Sequence, residues 1–269
     1  MSETDKRLEL AVAAALEAAA IPRELFRSDA LVVDWKSDDS PVTRADKDAE
    51  ALLRERIEAA CPNDAIVGEE FPIKEGTSGF KWYLDPIDGT QSFIRGVPLF
   101  GTMVAIEQDG IPITGVIVFP ALGEIIYATK GYGAWWATNA NEATGIDDLD
   151  RRTAKVSTTA TLADAALTSG GIELYAQHDM SERFSRLLAR TKMARGWSDC
   201  YGHYLVATGR VDAMVEPEMH IWDNAPLLPI ITEAGGRFTD LSGDAVIDGG
   251  NALSSNGLLH DALLEAWHG

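Results

Sequence analysis

Positive charge is what this chain is short of. It has 23 lysines and arginines against 42 aspartates and glutamates, for a formal net charge of −19 over 269 residues. That balance excludes a nucleic-acid backbone or an anionic membrane as the main partner, because both demand a cationic face. Cysteine is scarce too. Cys61 and Cys200 stand far apart in no Cys-x-x-Cys pattern, which excludes a disulfide framework and suits a reducing, cytoplasmic setting. No His/Cys cluster has zinc spacing, so a soft-ligand metal is excluded as well. Long apolar runs are missing. The best is residues 10–21, where Glu17 breaks the run and the preceding charges (Glu3, Asp5, Lys6, Arg7, Glu9) are mixed. An alanine-rich amphipathic helix fits it better than a signal peptide, and nothing is long enough to span a bilayer.

What remains is ordinary globular composition, 46% hydrophobic and 24% charged, enough for one large domain or two coupled subdomains. The pattern predicts helices over 4–20 and 45–60, the second with Ala49, Leu52, Leu53 and Ile57 on one face. Strand pieces are expected at 31–33 and 42–43, around an exposed turn at 36–41. Short buried strands follow at 65–67 and 82–84, then a strand-rich block at 101–107, 113–119, 124–129 and 134–137, punctuated by glycine and proline. A polar, acidic stretch at 139–150 marks the expected boundary, giving subdomains of residues 1–140 and 141–269. The second half alternates strands at 165–168 and 212–215 with helices at 180–189, 201–207 and 223–234, the last stopping at Gly235-Gly236. Mixed elements in both halves predict layered α/β or α+β architecture.

The chemistry is concentrated at Lys81-Trp82-Tyr83-Leu84-Asp85-Pro86-Ile87-Asp88-Gly89-Thr90. An apolar strand runs into two aspartates, proline is expected to end the ladder, and Gly89-Thr90 opens a helix whose first N–H groups are free. A hard cation on oxygen ligands beside a phosphate on those N–H groups would make a phosphoryl-transfer site. A polar turn uses the same residues, so this stretch does not decide alone. Two others bear on it: Val67-Gly68-Glu69-Glu70, and Ile221-Trp222-Asp223-Asn224-Ala225 running into Glu233-Ala234-Gly235-Gly236. Glu69, Asp85, Asp88 and Asp223 each end or follow an apolar run. Four converging carboxylates would repel one another unless a cation such as magnesium joined them.

Taken together, Gly-Glu-Glu, Asp-Pro-Ile-Asp-Gly-Thr and Trp-Asp followed by Glu-Ala-Gly-Gly resemble the signature of the inositol monophosphatase superfamily, over about residues 41–243. The resemblance implies alternating α-β-α-β-α layers of the inositol monophosphatase/fructose-1,6-bisphosphatase type, with the site in the cleft between halves. It implies a magnesium-dependent phosphatase acting on a small phosphate ester, two or three Mg2+ per site, and a homodimer. By resemblance, Glu69, Asp85 and the Ile87 carbonyl would hold the first magnesium, and Asp85, Asp88 and Asp223 the second. A third would sit near Glu69 and Asp46. Thr90, paired with Asp46 of the Thr43-Arg44-Ala45-Asp46 stretch, would help deprotonate an attacking water, and the Gly89 and Thr90 amides would hold phosphate. Without the resemblance, Asp46 reads as an acid stabilised at a helix N-terminus. The cations also answer the acidity of the chain, since they invert the local field that would repel a phosphate ester.

The finer resemblance is to the histidinol-phosphate phosphatase branch. It rests on Thr90-Gln91-Ser92-Phe93 with Gly96-Val97-Pro98-Leu99-Phe100-Gly101-Thr102, on Asp199-Cys200-Tyr201-Gly202-His203, and on Trp222-Asp223-Asn224-Ala225-Pro226-Leu227-Leu228-Pro229. Histidinol phosphate carries an amine and an imidazole, so it calls for acids and aromatic edges at the rim. Glu216, Asp199, Trp197 and Arg195 are the rim candidates, beside Asp88, Gly89, Thr90 and Asp223. Asp199 reads equally as a cap for the helix beginning near Cys200. Trp222 reads as core, His220 as structural, and Glu70 as facing away from Glu69. The rivals are a broad inositol or sugar monophosphatase, a 3′-phosphoadenosine 5′-phosphate phosphatase, for which no adenine pocket is evident, and a non-catalytic binding protein on the same scaffold.

Overall fold

A computed structural model describes residues 2–35 and 41–269. The turn expected at 36–41 lies outside them except for Pro41. The chain opens with α1 (Glu3–Leu25), β1 (Val33–Trp35), β2 (Pro41–Thr43) and α2 (Arg44–Ala60), continues through β3 (Ala65–Gly68), β4 (Phe80–Asp88) and α3 (Thr90–Ile94), and then lays down β5 (Gly101–Gln108), β6 (Ile111–Phe119), β7 (Glu124–Thr129), β8 (Ala134–Ala137) and β9 (Arg152–Thr153). The rest is β10 (Ala166–Ser169), α4 (Ile172–Gln177), α5 (Ser181–Arg190), β11 (Met193–Arg195), α6 (Asp199–Ala207), β12 (Ala213–Glu216), α7 (Ile221–Glu233), β13 (Arg237–Thr239), β14 (Ala252–Ser255) and α8 (His260–His268). Helix α1 runs five residues past the expected end at residue 20. Pro22 lies inside the helix, and the Phe26 amide closes the last turn on the Pro22 carbonyl, 2.8 Å.

Strands β3 to β9 form a seven-stranded sheet in sequence order, and β11-β10-β12-β14-β13 form a five-stranded one. The sheet between helices has two buried faces, so its strands read as continuous apolar runs while alternate residues serve different cores. Val104, Ile106, Val116, Val118, Ile125 and Tyr127 face α1 and α2. Their neighbours Met103, Ile117, Phe119, Ile126 and Ala128 face α6 and α7, where they meet Met214, Phe238 and Ala252 from the second sheet. The far face of that second sheet, Leu167, Ala213, Val215 and Leu253, packs on Tyr175, Phe184, Leu187, Leu263 and Trp267 of the outer helices. The order is therefore α1/α2, sheet, α6/α7, sheet, α5/α8: the expected α-β-α-β-α layering.

Two local features aim this scaffold at the site. Helix α7 lies against the first sheet at Gly115, where an added Cβ would fall 2.1 Å from the Pro226 carbonyl oxygen. Only a glycine there admits so close an approach. The second is in β4. Proline does not end the ladder as expected. The strand continues to Asp88 through an irregularity: Asp85 pairs with Met103, and the next pair is Asp88 with Gly101. Pro86 and Ile87 on β4 thus oppose Thr102 alone on β5, a β-bulge, and Thr102 Oγ1 donates to the Pro86 carbonyl across it at 2.9 Å. In a regular strand, residues three apart point to opposite faces. The extra residue turns Asp85 and Asp88 to the same side.

Among the described residues, no helix is long and apolar enough to cross a membrane. Cys61 and Cys200 are both unbridged, Cys200 fully buried.

Candidate active site

The acids singled out in the sequence meet at one cavity of about 130 Å³, lined by Glu69, Asp85, Ile87, Asp88, Gly89, Thr90, His220, Trp222 and Asp223. Larger hollows exist, such as one of about 490 Å³ bordered by Ile21, Glu24, Leu25, Leu31, Arg44 and Asp48, but among the described residues the three-acid cluster lies at this cavity. One carboxylate oxygen each from Asp85, Asp88 and Asp223 lies within 4.8 Å of the others.

Each acid is delivered by a different piece of the fold. Glu69 follows the end of β3, with its amide donating to the Leu84 carbonyl of β4 at 3.2 Å. Asp85 Oδ1 accepts from the Ile87 amide at 2.9 Å, which shapes the bulge. Asp223 sits in the first turn of α7 and accepts from the His220 amide at 2.8 Å. Asp88 reaches across the molecule, where the Cys200 amide at the start of α6 donates to its Oδ2 at 2.6 Å. Gly89, the residue before α3, has φ +81, and a Cβ there would lie 3.0 Å from both the Asp199 carboxylate and the Leu99 carbonyl. The Ser92 and Phe93 amides close the first turn on the Gly89 carbonyl, so the Gly89 and Thr90 amides lie ahead of the helix's own bonds.

Electrostatically the cluster is unbalanced. Burial raises the Asp85 carboxyl far above the carboxylate range, and Glu69, Asp88 and Asp223 push it further. Asp88 is pushed up to about 7 by burial and then by Asp223, against the opposing hydrogen bond from Cys200. Asp223 also rises to about 7, burial outweighing the His220 amide. Such a site fits a hard divalent cation: its donors are all oxygen, close-set, buried and mutually repelling, and a cation would reverse each of these penalties.

The remaining candidates divide. Asp199 and Glu216 stand directly behind Asp88. The Asp199 amide donates to Glu216 Oε1 at 3.3 Å, burial and Asp88 push the Asp199 carboxyl up to about 7, and burial and then Asp199 raise Glu216 well above its usual range. Asp199 is not the cap of α6. It is the first helical residue, held at φ +58, while Ser198 precedes it and donates to Asp199 Oδ2 at 2.8 Å. Asp46 is buried and accepts from both the Thr43 amide and hydroxyl, at 2.7 and 2.6 Å, in a capping box. Burial lifts its carboxyl to about 6, with a contribution from Glu69. The Thr90 hydroxyl donates to the Ile87 carbonyl at 2.8 Å, whereas the expected pairing was with Asp46. Arg195 and Trp197 are not brought into the cavity. Arg195 ends the edge strand β11 and its guanidinium donates to the Ala194 carbonyl at 2.6 Å. Trp197 borders a separate hollow of about 430 Å³ with Leu99, Tyr201 and Arg210.

Sequence reasoning misplaced one residue and missed one group. Trp222 is half-buried, not core, and with His220 it forms one wall of the cavity, the rings stacked at 5.0 Å. An aromatic beside a metal-type aspartate at a helix start was the available signal. The Cys200 amide had none, since a backbone donor carries no residue signature.

A family model described as the inositol monophosphatase family matches residues 3–268. A histidinol-phosphatase of Chlorobaculum parvum is 38% identical over 260 residues, 96% of this chain and 95% of that protein. A histidinol-phosphatase of Mycobacterium tuberculosis is also 38% identical, over 264 residues, covering 98% of each chain. Among solved structures, an inositol monophosphatase from Zymomonas mobilis superposes with a TM-score of 0.84 at 29% identity over 100% of both chains. The chain belongs to the inositol monophosphatase family. It is a metal-dependent phosphomonoesterase built on that family's fold.

Proposed function

We propose that the protein hydrolyses L-histidinol phosphate to L-histidinol and phosphate. The observation that carries this reading is the pair of buried acids, Asp199 and Glu216, packed behind Asp88. Burial and mutual repulsion hold both carboxyls toward their neutral form, so a leaving group that brings a cationic amine or imidazole beside them would relieve that repulsion, which favours it over a ring of neutral hydroxyls. The 38% identity to two histidinol-phosphatases over nearly the whole chain supports the same choice.

Magnesium ions, when bound, supply charge neutralisation of the phosphate and activation of a water for in-line attack. Glu69, Asp85 and the Ile87 carbonyl would hold one; Asp85, Asp88 and Asp223 would hold a second; Glu69 and Asp46 would border a looser third. The Gly89 and Thr90 amides orient the phosphate. Asp46, lifted to about 6, has the strength of a general base near neutrality; the Thr90 hydroxyl, which donates to the Ile87 carbonyl, would have to turn toward Asp46 to align the water whose proton Asp46 accepts. The water oxygen bonds to phosphorus as the ester P–O bond breaks, and the departing alkoxide takes up a proton to leave as alcohol. No phosphorylated side chain forms.

The test is phosphate release with magnesium from L-histidinol phosphate and from myo-inositol 1-phosphate at matched concentrations. We expect a preference of about a hundredfold or more for the former, roughly 3 kcal/mol of transition-state discrimination. Equal rates, or the reverse preference, would make this a general sugar phosphatase. No magnesium-dependent release from either ester would favour a binding protein.

A further inference from the structure

Helix α2 carries a buried ion pair that the chemistry above does not use. Glu50 is fully buried, and its Oε1 accepts from Arg54 Nε one helical turn on, at 2.8 Å. Its Oε2 accepts from the Glu70 amide at 2.7 Å. Arg54 in turn donates through Nη2 to the Phe71 carbonyl at 3.1 Å and lies over the Phe71 ring, 5.7 Å from its centre. On the other side of Glu69, a Cβ on Gly68 would fall 2.1 Å from Glu50 Oε1, so the Glu50 carboxylate rests against bare backbone there. Residues 70 and 71 are thus each bonded by one i, i+4 pair that also packs against Gly68, and of residues 68–71 Glu69 lines the acidic cavity.

We propose that Glu50, with Arg54, is a positioning residue that fixes Glu69 as a metal ligand. This rests on the reading of Glu69 given above. The segment needs such a device because β3 is the edge strand of its sheet, and its outer flank is bridged at Ile66, which exchanges hydrogen bonds with Lys74, three residues short of Glu69. The Glu69 amide makes a ladder-type bond to the Leu84 carbonyl. A ligand swinging on an edge would meet the metal in many arrangements and bind it weakly. A buried ion pair adds little net stability but sets register and orientation, and groups that orient ligands typically change metal affinity by about ten- to a hundredfold.

The test is Mn2+ binding to the full-length protein, freed of metal and followed by electron paramagnetic resonance, alongside thermal unfolding. Glu50→Gln keeps the volume and removes the charge. We expect it to weaken the tightest Mn2+ site about tenfold. Asp64→Asn is the control: it breaks the similarly buried Arg7–Asp64 pair, 2.8 Å, which touches none of residues 68–71, and should lower the unfolding temperature while leaving Mn2+ affinity within about twofold. An unchanged affinity in Glu50→Gln, or an equal loss in both variants, overturns the proposal. Should Glu50→Gln fail to fold, Arg54→Met, which releases the Phe71 carbonyl, decides instead. A threefold or greater loss supports the proposal and no loss overturns it. Wild-type protein that binds Mn2+ but releases no phosphate would sink the phosphatase reading alone. Wild-type protein that binds no Mn2+ would sink this inference with the metal assignment.

Discussion

The Cys200 amide at the start of α6 donates to the Asp88 carboxylate across 2.6 Å, joining residues 112 apart in sequence. Asp88 belongs to the bulged end of the first sheet and Cys200 to the helix layer between the sheets. The bond therefore anchors the cavity across the two halves of the chain. It also places an acid at a helix N-terminus, where the dipole favours negative charge.

Asp88→Asn keeps an oxygen that can accept from Cys200 and removes one charge from a repelling cluster. We expect phosphatase activity to fall about a hundredfold or more, as for loss of a metal-orienting group at the least. The metal-free variant should unfold at a higher temperature than metal-free wild type, because relief of repulsion acts only there. Melting curves in chelator and in excess magnesium check both; a metal-free variant less stable than wild type would show that the Cys200 bond requires the charge.

The cluster sets the pH dependence of the metal-free protein. Asp88, Asp223 and Asp199 have folded values of about 7, above the ordinary value of about 3.9 in an unfolded chain. The folded state therefore binds more protons between these limits, and stability must fall as pH rises through that window. Unfolding temperature in chelator should drop from pH 5 to pH 8, and magnesium should flatten the curve. A flat curve without metal would mean that water, not protein, surrounds these acids.

Gly115→Ala tests the seating of α7. The new Cβ meets the Pro226 carbonyl at 2.1 Å, backbone against backbone, so the helix must move. Overpacking of this kind costs about 1–3 kcal/mol, which corresponds to an unfolding temperature lower by roughly 2–12 °C in a chain of this size. Because α7 carries Asp223, activity should fall together with stability. Wild-type activity in a destabilised variant would separate the seating of α7 from the site.

Glu216→Gln tests the substrate rim. Glu216 is buried and receives the Asp199 amide, and Gln preserves that contact. Turnover of L-histidinol phosphate should fall at least tenfold more than turnover of a generic phosphomonoester. Equal losses would mean that Glu216 does not read the leaving group.

Much of the site was legible because its acids are local punctuation. Glu69, Asp85, Asp88 and Asp223 each follow an apolar run, and a strand or helix boundary can be seen in a window of a few residues. The strands from 101 to 137 were legible for the same reason, being apolar and bounded by glycine and proline. Elements that depend on distant partners were not. Strand β14 is Ala-Leu-Ser-Ser, with no β-branched residue, and is a strand because β12 and β13 flank it antiparallel on both sides. Strands β11 and β13 and helices α4 and α8 went unread for lack of a local period long enough to register.

The sequence by itself pointed to the chemistry: an acidic chain that offers carboxylate ligands in three stretches suits a hard cation. The tertiary structure alone decided how those ligands meet. Asp85 and Asp88 share a face through a bulge that exists only because β4 pairs with β5. Asp223 reaches them because Gly115 lets α7 close in, and Trp222 turns from core to cavity wall with it. Residue type fixes what a side chain can bind, whereas direction depends on register and on the approach of backbones that are far apart in the chain.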